Sequence, residues 1–157
     1  MSFESSRGWN ETRWVVLSSL FFGIPGIWYF AKHWQEKNYI QPIIIFSVFL
    51  IIASAVSVIY WYDAKIGWRR DIDLVISKIT FAIACYCAFW YVSHAPTYAA
   101  NMSLFPLMVY TYYKSSELVD YQNNREWVKY HVAFHFLLGL GSTLTLRGME
   151  MNHVSEL

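Results

Sequence analysis

Residues 38–62 read NYIQPIIIFSVFLIIASAVSVIYWY, twenty-five positions without a Lys, Arg, Asp or Glu. At 1.5 Å per residue a helix of that length exceeds the roughly 30 Å hydrocarbon layer of a bilayer. A helix also satisfies the backbone amides within its own segment, which the lipid cannot do. The stretch therefore reads as a membrane span. Three further windows lack those four residue types: Trp14 to Ala31, Ile79 to Tyr113 and Tyr130 to Leu146.

The window from Ile79 to Tyr113 is long enough for most of two spans, and Ser93-His94-Ala95-Pro96 is its natural break. Proline ends or begins a helix and disfavours helix at the residue before it. The expected architecture is all-α, a multi-pass transmembrane helix bundle of about five spans at 14–31, 40–62, 72–92, 97–113 and 127–146. Together they make a single integral membrane domain over residues 1–157. Composition agrees, with 56% hydrophobic, 20% aromatic and only 15% charged residues. A net charge of +1 gives no footing for a nucleic-acid role.

The first window could be mistaken for a secretion signal. It holds Gly23-Ile24-Pro25-Gly26 in its middle, ends in Trp28-Tyr29-Phe30 and has no small-residue cleavage site after it. It is expected to be a retained span, kinked or split at the Gly-Pro-Gly. Trp and Tyr gather at most expected span ends, among them Tyr60, Trp61, Tyr62, Trp90, Tyr91, Tyr112 and Tyr113, where such rings settle at the headgroup level.

Threading the chain back and forth puts Arg7 and Arg13, then Lys65, Arg69 and Arg70, then Lys114, Arg125 and Lys129 on one side. The other side has Lys32, Lys37 and Arg147. Basic connections stay in the cytoplasm, so the N-terminus is expected inside and the C-terminus outside or in a lumen. The Asn10-Glu-Thr sequon would then be unmodified, and Asn101-Met-Ser lies too close to the membrane to be an acceptor. Cys85 and Cys87 diverge around a helix, which argues against a disulfide or a metal role for them.

Polar groups at membrane depth carry the functional information, because each is costly there and normally faces the bundle interior. His131 and His135 stand four apart, on one helical face, and can point at one object such as a transition-metal ion. The second span ends at Ser57-Val-Ile-Tyr-Trp-Tyr-Asp63, the third begins with Arg69-Arg70-Asp71-Ile72-Asp73, and the fifth begins just before His131. All three lie at the basic face, so a Ser, the carboxylates and the two His can converge in one leaflet. Each also has a plainer reading. The imidazoles can bond the backbone or loop carboxylates such as Glu126 or Asp120. Asp71 and Asp73 suit a helix's first turn, Ser57 eases helix packing, and Lys78 snorkels or pairs with Asp71. His33 and His153 read as solvated flank residues.

A serine near the end of one span, an Asp at the start of the next and a late His-x-x-x-His resemble the pattern of the CREST superfamily of membrane hydrolases. That group includes alkaline ceramidases, adiponectin-receptor-like proteins and the hemolysin III group. The resemblance covers about two-thirds of the chain, from roughly Ser47 onward. It implies a zinc-dependent lipid amide hydrolase acting on ceramide-like lipids, with His131 and His135 as zinc ligands and Ser57 and Asp73 as catalytic residues. Zinc there would polarise a carbonyl and lower the pKa of water to about 7, given three protein ligands and an open position.

Two departures stand out. The position four after Ser57 is Trp61, where the family has its third His. The family core has seven spans against the five expected here, as though a hairpin were missing between the third span and the last. Asp63, Asp71 or Asp73 could supply an oxygen ligand instead; His94 is about a membrane thickness away. The alternative is a non-catalytic relative that kept the bundle and binds membrane lipids, a membrane-protein partner or a second copy of itself. Haem-mediated electron transfer is disfavoured, since no second in-span His stands at the same depth on a facing helix.

Overall fold

A computed structural model describes residues 9–35, 41–64, 67–119 and 125–155. Among these there are five helices and no strand: α1 (Trp9–His33), α2 (Gln41–Tyr62), α3 (Trp68–Tyr91), α4 (Ala95–Val119) and α5 (Glu126–Ser155). The expected spans lie within or nearly within these helices; α1, α4 and α5 run past them at both ends and α3 at its start, because a flanking charge does not stop a helix. Thus α3 begins at Trp68 rather than Ile72, directly after Gly67. Gly67 has φ 152°, a value that favours glycine, and its carbonyl accepts from the amides of Arg70 and Asp71. Pro96 sits in the first turn of α4, where its missing N–H costs nothing.

The helices α1, α2 and α3 are long and apolar enough to cross a membrane. The windows that suggested spans in α4 and α5 are free of charge rather than strongly apolar, with Asn101, several Tyr and the Gly-Ser-Thr run of residues 141–143 among them.

Helix α1 is not split at its Gly-Pro-Gly but runs unbroken through Pro25. The glycines serve close packing instead. A Cβ on Gly26 would stand 2.8 Å from the Ser47 carbonyl oxygen and 2.9 Å from Leu50 Cβ. Ser54, on the same face of α2, donates to the Ser19 carbonyl at 2.8 Å. Small residues of this kind let helix backbones approach where lipid supplies no hydrophobic drive.

Helix α1 packs on α2 and α5, α5 also on α4, and α2 on α3, while α3 and α4 scarcely touch. One apolar cluster fills the middle around Phe22, Phe46, Leu50 and Leu138. A second, built on Val15, Val16, Trp61 and Trp127, closes the end where α1, α3 and α5 begin and α2 finishes. At that end Arg125 approaches Glu11 to 3.8 Å. At the other end Glu150 of α5 pairs with Lys32 and with His33, the latter at 3.0 Å. His33, expected to be solvated, is therefore a buried residue, 5% exposed, with a carboxylate partner. His153 lies where no side chain is described.

Gly26→Leu is expected to destabilise the folded protein in detergent by about 1–3 kcal/mol, because the extra carbons meet backbone that cannot yield. Ile27→Leu, at an outward-facing position, should leave thermal unfolding nearly unchanged; equal midpoints for the two variants would refute the packing account.

Candidate functional site

The histidine pair lies where four helices meet. His131 and His135 are edge to face with ring centroids 4.7 Å apart, as the one-turn spacing requires. His135 is 3% exposed and its Nδ1 is 2.8 Å from Ser18 Oγ and 3.5 Å from Ser19 Oγ, both on α1. Each of these serines also reaches the Val15 carbonyl, at 2.9 and 2.8 Å. A hydroxyl has one proton. While Ser18 donates to Val15, its oxygen accepts from the His135 Nδ1–H, and the imidazole lone pair is left on Nε2. His131 is held at Nδ1 by Ser115 of α4, at 3.0 Å.

The chain of polar contacts continues to the carboxylate. Ser19 Oγ lies 3.2 Å from Ser57 Oγ, a second acceptor competing with Val15 for its one proton, and Ser57 stands beside the Asp73 carboxyl. Asp73, Ser57, Ser19 and His135 thus form one connected series drawn from α3, α2, α1 and α5. Asp73 is 7% exposed, and its Oδ1 has no hydrogen-bond partner among the described residues. A buried, unsatisfied acceptor costs on the order of 1–3 kcal/mol, so this atom suits an additional donor such as a water or a ligand hydroxyl.

Of Asp63, Asp71 and Asp73, Asp73 is the one turned inward. Asp71 is exposed, and Asp63 lies 3.9 Å from Arg69 at the surface. Glu126 bonds Lys129 at 2.8 Å, and the bonds to both imidazoles at Nδ1 come from serines. Asp120 lies outside the described residues. His94 stands at the opposite end, bonded to Thr97 Oγ1 at 2.8 Å.

Trp61, at the position four after Ser57, stands beside the pair. Its ring meets His131 edge-on at 4.9 Å and stacks on Trp127 at 5.3 Å. It is 6% exposed, and its Nε1 has no hydrogen-bond partner among the described residues. Among those residues no three of His, Cys, Asp and Glu form a group that could hold a metal ion. Two imidazoles fall short of the three protein ligands of a catalytic zinc site, and Asp73 is linked to the pair through serines rather than sharing a coordination sphere with it. The described residues bring together two of the three protein ligands that such a site needs.

Sequence reasoning selected Ser57, Asp73, His131 and His135; the first two lie in the series that ends at His135, while His131 bonds Ser115 and touches that series only through its ring contact with His135. It passed over Ser18, Ser19 and Ser115. The adjacent pair Ser18-Ser19 inside an otherwise apolar window was the available signal. No family model matches the chain, and neither does any curated protein or solved structure.

Removing the serine under His135 strips a buried ring nitrogen of its nearest partner. Ser18→Ala is expected to cost about 1–3 kcal/mol of stability in detergent, against nearly nothing for Ser103→Ala, an exposed serine that bonds only within its own helix. Indistinguishable unfolding curves for the two would mean that the Ser18 contact carries no weight.

Proposed function

We propose that the chain is a five-span integral membrane protein, with its N-terminus in the cytoplasm, that keeps a CREST-like helical scaffold and uses it to bind lipid or a membrane partner without hydrolysing amides. The observation that carries this reading is Trp61: an indole stacked on Trp127 and set against His131 stands at the position where the family has its third His. Spans in α4 and α5 are supported by their inverted surfaces. Asn101, Ser115, His135, Ser142 and Thr145 face inward, while Phe105, Leu107, Val109, Phe136 and Leu140 face out. Lipid favours that distribution and water opposes it.

A second reading, a zinc-dependent amidase acting on ceramide-like lipids, has its own support in the convergence of Ser57 and Asp73 with His131 and His135. The unpaired Oδ1 of Asp73 adds to it. In that reading the two His bind zinc, and Ser57 and Asp73 are catalytic.

Metal analysis of the purified protein, combined with a fluorescent ceramide assay, separates the two. The first reading expects neither stoichiometric zinc nor hydrolysis, and a rise in bound zinc in Trp61→His. About one zinc per chain, lost together with hydrolysis in His131→Ala and His135→Ala, would establish the amidase and end the first reading. Orientation has its own check. Single cysteines placed at Ser116 and at Ser93 should be labelled by an impermeant thiol reagent from the cytoplasmic and the opposite side respectively, in a background without Cys85 and Cys87. Labelling of both from one side would refute a span in α4.

A further inference from the structure

Helices α1 and α5 run in the same direction and leave a groove between them on the outer face of the bundle, at the end opposite the histidine pair. Its volume is about 560 Å³, within the range of ordinary ligand sites. Its floor is Pro25 and Gly139, and its walls are Phe21, Ile24 and Trp28 of α1 with Thr143 of α5. Gly139 lets α1 lie close to α5 along the groove, since a Cβ there would meet the Phe21 ring at 2.8 Å.

The groove is apolar along its length and charged at one end. Arg147 and Glu150 line that end, eight and eleven residues beyond Gly139, so Arg147 stands about 12 Å along α5 from the floor glycine. Glu150 is engaged by Lys32 and His33. Arg147 is exposed and pairs with no carboxylate among the described residues. Among the described residues at this end two cations, Arg147 in the groove and Lys32 beside it, face one carboxylate, Glu150.

An apolar trough ending on an arginine that pairs with no carboxylate among the described residues matches the layout of a fatty chain joined to an anionic phosphate. We propose that the α1/α5 groove binds an anionic glycerophospholipid, with one acyl chain along Phe21, Ile24 and Gly139 and the phosphate on Arg147. The guanidinium fork suits phosphate oxygens, and Trp28 and Tyr29 border the headgroup at the level where such rings settle. Charge decides between lipids: a zwitterionic headgroup brings its own cation and gains less from Arg147. This inference rests on α1 and α5 both crossing the membrane. It is independent of whether the His131/His135 site turns over a substrate.

Native mass spectrometry of the full chain, released from mixed micelles holding equal phosphatidylglycerol and phosphatidylcholine, tests it. Wild type should retain phosphatidylglycerol in preference. Arg147→Gln should weaken that retention about tenfold and abolish the preference, the loss of one charge-assisted contact. Thr143→Trp, which fills the trough from an exposed position, should reduce retention of both lipids. Circular dichroism confirms that each variant is folded. Equal retention of the two lipids by wild type, or undiminished retention by Arg147→Gln, would overturn the proposal. So would Thr143→Trp altering the oligomeric state and leaving lipid untouched, which would make the groove a contact between copies. Competition by glycerol phosphate alone, as strong as by the intact lipid, would remove the acyl chain from the site. Failure of the membrane reading shows separately: single cysteines replacing Asn10 and Trp34 at the ends of α1, and Lys129 and Met151 near the ends of α5, would then be labelled by an impermeant thiol reagent from one side, whereas failure of this site leaves their opposite-side labelling intact.

Discussion

The close approach of α1 to its neighbours is the constraint on which the other contacts rest. Gly26 admits the α2 backbone, and Gly139 admits the flank of α1 to α5. Were either contact opened by a side chain, the serines of α1 would no longer reach both α2 and α5. Ser19 spans the two, touching Ser57 on one side and the His135 ring on the other. Helix association in a bilayer gains little from hydrophobic burial, so close packing and interhelical hydrogen bonds have to supply the specificity.

The interior that results is polar by membrane standards. Hydroxyls meet imidazoles, and one carboxylate sits at the end of the series, all within a shell of outward-facing Leu, Ile, Val and aromatic side chains. The aromatic cluster at the same end changes what the polar groups can do. An indole has one donor and no acceptor, so Trp61 can pack on an imidazole but cannot serve as a metal ligand in its place. The same bundle that gathers a Ser, an Asp and two His therefore withholds the third nitrogen.

Much of the fold was legible in the sequence because the absence of charge over windows of 17 to 35 residues is hard to reconcile with anything but long buried or lipid-facing helices. The helix ends were less legible. They depend on Gly67 with its positive φ, and on α5 continuing past Arg147, where charge ends an apolar window without ending a helix. Within the site, spacing disclosed the histidine pair, and sidedness disclosed Ser57 and Asp73. Ser18, Ser19 and Ser115 stayed hidden, since serine in an apolar helix is unremarkable until its partner is known. The same distance effect misled over His33. Its carboxylate, Glu150, lies 117 positions away.

The two α1 serines also bear on how the chain assembles. Ser18 meets its histidine across 117 residues, a contact that forms only after α5 has been made. Until then a pair of bare hydroxyls in hydrocarbon would be a liability. Both already have an acceptor in the Val15 carbonyl, one turn back in their own helix. Helix α1 thus satisfies both serine hydroxyls within itself, and contact of Ser18 with α5 adds a bond without requiring another to break.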